Sequence, residues 1–240
     1  MKVTFPTTTV SRPARRNISQ AYQTGSSTTS SNQDTCFHKD NHSHQQEAVS
    51  QYQLVTFKRH EPISLHQGGL WRIQSGYARS LTWNLDGEPI PLGFWTTGDI
   101  VGQEIPASHQ LESHSVRPYE VQCLSTVTAE YLGDRYSLSK AAVQTRATQS
   151  NDLLRIAHCR HTEIRLLLFV SWLAKKFGKP APEGLQVDIK LTHQEIAESV
   201  GITRVTVSRL LKALERQGKI EWTTQEKRVN YATLKACGAP

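Results

Sequence analysis

The stretch from residue 192 to residue 219 reads THQEIAESVGITRVTVSRLLKALERQGK. Thr192 stands three residues before Glu195, the spacing of a capping box, in which hydroxyl and carboxylate each satisfy a backbone N–H that a helix start leaves unpaired. Ile196, Ala197 and Val200 then share one face of that helix. Gly201 stands where a tight turn between two helices needs a positive φ. Thr203 caps a second helix running to about Gln217, with Val207, Leu210, Leu211 and Leu214 as its buried stripe and Gly218 at its end. Helix, glycine turn, helix in so short a span is the helix-turn-helix pattern, whose second helix enters the major groove of DNA.

The candidates for reading base edges are therefore the first exposed side chains of that second helix: Arg204, Val205, Thr206, Ser208 and Arg209. An arginine can pair bidentately with guanine, and Val205 or the Thr206 methyl can meet the methyl of thymine. Lys219-Ile220-Glu221-Trp222 and Arg228-Val229-Asn230-Tyr231 flank a polar turn and read as a β-wing. Thr192, Gln194, Thr203, Lys212, Lys219 and Arg228 are the candidates for phosphate contacts, which position a protein on DNA without reading sequence. The competing reading is a plain helical hairpin with a solvated arginine face. Against it, basic residues outnumber acidic ones between Lys190 and Lys235.

Upstream of this unit, Lys175-Lys176 followed by Gly178-Lys179-Pro180 is helix-stop chemistry for an apolar helix over Ile164 to Leu173, and residues 179–184 read as a loop. Before that, Val143, Ala147, Ser150, Leu154, Ala157 and His161 recur at spacings of four and three, a coiled-coil-like seam for a dimer helix. Between residues 47 and 137 the texture is short β runs broken by Gly and Pro. Leu54 to Phe57, Leu70 to Ile73, Tyr77 to Trp83, Pro91 to Trp95 and Glu120 to Leu132 are the strands, and Asp86-Gly87 is a hairpin turn. Strands at this spacing form a small antiparallel barrel or jelly roll. The fold class is α+β, with residues 1–46 a polar tail, 47–137 the β-roll, 138–161 the dimer helix and 162–240 the winged helix-turn-helix.

Residues 1–46 are rich in Ser, Thr, Gln, Asn and His and too poor in aliphatics to offset the entropy of ordering, so the tail reads as disordered. The whole chain carries 28 basic and 21 acidic residues, a formal charge of +7, which suits a polyanion partner. Cys36, Cys123, Cys159 and Cys237 lie too far apart for a metal finger or a disulfide framework, and no apolar run is long enough for a membrane span. Both point to a reducing, cytoplasmic setting with no membrane.

The order of β-roll, long dimer helix, short loop and winged helix resembles the Crp/Fnr family of transcription regulators over roughly residues 50–235. Leu70-Trp71-Arg72-Ile73-Gln74-Ser75-Gly76 is similar to that family's strand-then-glycine signature, and Phe94 to Gly102 to its Gly-Asp turn before the effector cassette. The C-terminal part is closest to the cyanobacterial global nitrogen-control branch, through Phe177-Gly178, Ile189 to Gln194, Ile196-Ala197-Glu198 and Thr203 to Leu211. The resemblance implies a homodimer on double-stranded DNA at a palindrome, working with RNA polymerase. It implies a GTA/TAC site, since Val205 stands where the cyclic-AMP branch has Glu. It also implies an effector position at Gly102, Gln103, Arg117, Tyr119 and Arg146, taking 2-oxoglutarate or nothing. Cyclic AMP is disfavoured. Gln103 replaces the carboxylate that holds a ribose, and Pro118 offers a phosphate neither hydroxyl nor N–H.

Two alternatives stay open. A haem, redox or metal sensor on the same scaffold would use a His or Cys ligand. A metal-dependent jelly-roll enzyme would use Cys36, His38, His42, His44 and Glu47, although a polar tail is a poor frame for a metal. No catalytic constellation is visible, neither a nucleophile elbow nor a phosphate-cradling glycine loop, so the chain reads as a non-enzyme with no catalytic and no metal-ligating residues.

Overall fold

Alternating apolar positions between residues 54 and 131 fold as strands because each β residue pair places one side chain inward and one outward. In the computed structural model, which describes residues 54–63, 69–103, 119–133 and 136–238, these strands are β1 (Leu54–Phe57), β2 (Pro62–Ile63), β3 (Gly69–Ser75), β4 (Ala78–Trp83), β5 (Pro89–Trp95), β6 (Ile100–Gln103), β7 (Glu120–Cys123) and β8 (Val127–Tyr131). They form two four-stranded antiparallel sheets, ordered β1-β8-β3-β6 and β2-β7-β4-β5. Phe57, Trp71, Ile73, Trp95, Val101, Val121, Val127 and Ala129 fill the space between them. The Asp86-Gly87 turn joins β4 to β5 as expected, with Asn84 Oδ1 accepting from the N–H groups of Asp86 and Glu88. The run expected from Glu120 to Leu132 breaks into two strands. At the break Leu124 N–H donates to the Tyr77 carbonyl and the Ser125 hydroxyl accepts from Tyr77 N–H.

Helix α1 (Lys140–Ala157) starts at the Ser139 cap, and α2 (Thr162–Phe177) follows after a short link. Only Gln149, Leu153 and Ile156 of α1 are buried, all on one side. The seam residues Val143, Ala147, Ser150, Leu154 and Ala157 lie elsewhere and are all exposed, Leu154 by 56%. The helix ends at Ala157 rather than reaching 161, so His161 falls outside it, at the start of α2. Val143 and Leu154 are thus large apolar side chains left exposed on this face.

The remainder is β9 (Gly178–Ala181), β10 (Gly184–Val187), α3 (His193–Val200), α4 (Arg204–Arg216), β11 (Ile220–Trp222), β12 (Lys227–Asn230) and α5 (Tyr231–Ala236). The structure corrects two expectations here. Residues 178–187 are a hairpin rather than a loop, extending the wing into a four-stranded sheet ordered β11-β12-β10-β9. Gly184 permits this, since a Cβ there would run into the Val229 carbonyl across the strand pair. The second wing strand stops at Asn230, whose side chain caps α5 by accepting from Thr233 N–H. The described residues pack as one unit, and one apolar cluster crosses it from Phe94 and Leu124 of the roll through Phe169, Leu173 and Phe177 to Ile196, Val207 and Leu214. Phe94 lies 5.9 Å from Phe169 and 5.8 Å from Trp172, ring to ring.

Candidate nucleic-acid interface

The capping box is formed: Thr192 Oγ1 accepts from Glu195 N–H at 3.1 Å and Thr192 N–H donates to Glu195 Oε2 at 2.6 Å. Gly201 takes φ +62°, a left-handed conformation that glycine adopts without strain, and Thr203 accepts from Thr206 N–H to start α4. Val207, Leu211 and Leu214 are buried and Leu210 is half-buried, so the opposite face of α4 is fixed outward. That face carries Arg204, Val205, Arg209 and Lys212, all exposed, with Val205 at 77%. Among the described residues no carboxylate pairs with Arg204, Arg209 or Lys212. A cationic helix face without internal counter-charge is free to meet an external polyanion.

The other sequence-predicted residues are less free. Ser208 Oγ lies 2.7 Å from His193 Nδ1 and donates to the Arg204 carbonyl at 3.1 Å, and Thr206 Oγ1 shares a hydrogen bond with Thr203 Oγ1. Gln194 donates to Glu198, and Lys219 lies 3.7 Å from Glu163. Arg228 is held among Glu221, Glu183 and Glu226, the first at 2.6 Å. Lys227, its neighbour in β12, donates instead to the Leu191 carbonyl at 3.5 Å. Its ammonium lies over the Trp222 ring at 5.5 Å, and burial, then the nearby Arg59 charge, lowers its pKa.

Residues that sequence reasoning missed hold this unit in place. Arg165 of α2 donates to the Val200 carbonyl at 2.9 Å, filling an acceptor that the end of α3 leaves open, and to the Cys159 carbonyl. Arg79 of β4 reaches across to Glu198 at 2.8 Å while its Nε and Nη2 donate to Gln122, its register partner on β7. Both ion-pair side chains are largely buried, at 5% and 15% exposure. Arg59 adds a second bridge from the roll, to Glu195 at 3.2 Å and to the Lys190 carbonyl. No local sequence signal marks these, because apart from the Cys159 carbonyl each partner lies in a distant element.

Of the effector candidates, Gly102, Tyr119 and Arg146 come together. Arg146 of α1 donates to the carbonyls of Gly102 at 3.0 Å and Ile100 at 2.9 Å and lies over the Trp95 ring. Burial raises the Tyr119 phenol pKa, opposed by the Arg146 charge. Gly102 takes φ +110°, and a Cβ there would collide with the Gly69 carbonyl, so close strand approach explains the glycine without a ligand. Gln103 is placed in β6 by its backbone, and Arg117 lies outside the described residues, as do Cys36, His38, His42, His44 and Glu47. Among the described residues no group of three His, Cys, Asp or Glu side chains could hold a metal. Burial pushes the Cys123 thiol up to about 12, with Glu61 adding to the shift, which disfavours a thiolate ligand. No helix of the described residues is long and apolar enough to cross a membrane.

Residues 164–236 match the model of the Crp-like helix-turn-helix domain. The regulatory protein CysR of Synechococcus elongatus is 35% identical over 154 residues, 63% of this chain and 71% of that protein. The chain belongs to the Crp/Fnr family. The global nitrogen regulator of Synechocystis is 41% identical over 85 residues, covering 35% of this chain and 37% of that protein. A Crp/Fnr-family transcriptional regulator from Thermus thermophilus superposes with a TM-score of 0.56 at 18% identity, covering 77% of this chain and 96% of that one. As a Crp/Fnr regulator, the protein binds DNA and regulates transcription, on the expected scaffold of β-roll and winged helix-turn-helix.

Proposed function

We propose that this regulator acts in the cytoplasm as a homodimer, joined along the exposed α1 seam, that sets two α4 helices into successive major grooves of a palindrome. The observation that carries the reading is the outward face of α4, where Arg204, Val205, Arg209 and Lys212 are exposed and the cations have no carboxylate partner among the described residues. Arg204 and Arg209 read bases and Val205 with the Thr206 methyl supplies apolar contacts. Ser208 belongs to the same set, although its hydroxyl is already engaged by His193 and the Arg204 carbonyl. Thr192, Gln194, Thr203 and Lys212 face the backbone, with Lys219 further along the wing, while Arg228, held by three glutamates, joins that set only if they yield to phosphate. The half-site is GTA/TAC, and RNA polymerase is the partner on the promoter. The protein has no enzymatic role in this reading.

The effector is 2-oxoglutarate or none. Arg146 already donates to two backbone carbonyls, so the contact between α1 and the roll stands without an anion. A dicarboxylate would have to draw the guanidinium from neutral acceptors to a charged one, a favourable exchange if it can enter.

The test is an anisotropy titration of the full chain against a GTA/TAC palindrome, a TGTGA palindrome and a scrambled duplex, at two salt concentrations, with and without 2-oxoglutarate. Preference for GTA/TAC supports the assignment, and equal binding to all three refutes it. The dimer is tested by Val143→Arg with Leu154→Arg. The variant should sediment as a monomer and lose on the order of 10²–10⁴-fold in affinity, the effective concentration that linkage supplies. Unchanged sedimentation would place the dimer contact elsewhere.

A further inference from the structure

We infer that His193 is a positioning residue of the DNA interface that takes up a proton when DNA docks, so that binding strengthens as pH falls. This rests on the proposed reading of α4 as the DNA-facing helix.

The geometry places His193 at the first turn of α3, with its Nδ1 2.7 Å from Ser208 Oγ on α4. The single Ser208 hydroxyl proton goes to the Arg204 carbonyl at 3.1 Å. Its oxygen is then left to accept, which requires Nδ1 to carry a proton and leaves Nε2 as the nitrogen that titrates. The bond across the two helices therefore survives in both charge states. Protonation changes only the charge, at a ring that already fixes the relation of α3 to α4.

Around that ring the charges are cationic from each element packed against it. Arg204 and Lys212 come from α4 and Lys227 from β12, and all three oppose a charge on the imidazole. On its own helix, Glu195 bonds Thr192 N–H and pairs with Arg59 at 3.2 Å. Burial first, then these three cations, holds the His193 pKa below its ordinary value in the free protein. A DNA phosphate brought against the same cluster reverses the balance, since an anion stabilises the imidazolium and screens its neighbours. His193 then loses its proton at a lower pH in the free protein than in the complex. The sign follows. The gain in affinity is fully present below the free pKa and fades as pH rises through the complex's higher one. Each unit between the two values is worth a factor of ten per histidine.

The experiment titrates full-length protein against the GTA/TAC duplex and the scrambled duplex from pH 5.5 to 8.5 at constant ionic strength. Parent protein should gain at least about tenfold in affinity as pH falls across this range. His193→Asn keeps a neutral donor toward Ser208, so it should bind like the parent at high pH and lose most of the gain at low pH. His193→Arg, permanently charged, should bind tightly throughout with a flat profile. His60 beside Glu195, and His158 and His161 near the α1–α2 link, are the other described histidines, and the asparagine variant separates them from His193. A flat profile for the parent, or a slope that persists in His193→Asn, overturns the inference while leaving DNA binding intact. Absence of binding to either duplex at every pH overturns the reading of α4 itself.

Discussion

Arg79, Arg146 and Arg165 each tie two elements together, whereas Arg204 and Arg209 at the start of α4 tie none to a carboxylate. The first three donate to Glu198 and Gln122, to the carbonyls of Ile100 and Gly102, and to the carbonyls of Val200 and Cys159. The other two are exposed among cations. In the reading proposed above, one residue type thus serves as mortar between elements and as a reading head on α4. What separates the roles is the acceptor: where the fold supplies one, the arginine is structural, and where it supplies none, the acceptor is to come from outside. Guanidinium suits both, because it is planar, always charged and weakly hydrated.

The sharpest way to break this division is Arg79→Ala. Glu198 would be left largely buried without its counter-charge, and losing one member of such a pair costs about 3–5 kcal/mol. Urea unfolding should show it. Arg79→Leu combined with Glu198→Leu should return stability to within about 1 kcal/mol of the parent, because two apolar groups leave no orphaned charge. A loss below about 1 kcal/mol for Arg79→Ala would put Arg79 with the exposed, unpaired set.

Arg209→Ala should behave in the opposite sense. Its stability should stay within about 0.5 kcal/mol of the parent, as for an exposed residue with no fixed partner. Affinity for the preferred palindrome should fall by about 1–3 kcal/mol, with preference relaxed at one base position. Equal losses on preferred and scrambled duplexes would make Arg209 a phosphate contact and narrow the reading head to Arg204 and Val205.

The legibility of these roles in the sequence follows the distance between partners. Thr192 with Glu195, Gly201 and Thr203 are local signals, decided by backbone groups within four residues, and each stands in the structure as its spacing implies. The helix α1 itself is legible for the same reason, since period alone marks it, although it ends at Ala157 and leaves His161 to the start of α2. Arg79 and Glu198 lie 119 residues apart, and nothing near either residue names the other. The β9–β10 hairpin was hidden because Gly178-Lys179-Pro180 truly ends α2, and only pairing of β10 with the wing makes the following residues strand. His193 was hidden by its own capping box, where it reads as filler between Thr192 and Gln194. Gly102 is legible as a special glycine, and the close approach of the Gly69 carbonyl accounts for it.

The smallest effect separates two cations that the sequence placed in one class. Lys212 is exposed on α4 with no carboxylate partner among the described residues, whereas Arg228 is held by Glu221, Glu183 and Glu226. A lysine that neutralises one phosphate releases about one counterion, so Lys212→Ala should lower the slope of log affinity against log salt by about 1 and weaken all sequences alike. Arg228→Ala should leave that slope unchanged, because its charge is already neutralised before DNA arrives. If both variants lower the slope equally, the glutamates around Arg228 must yield to phosphate on binding. The acceptor present in the free protein would then no longer be a guide to the role of the cation.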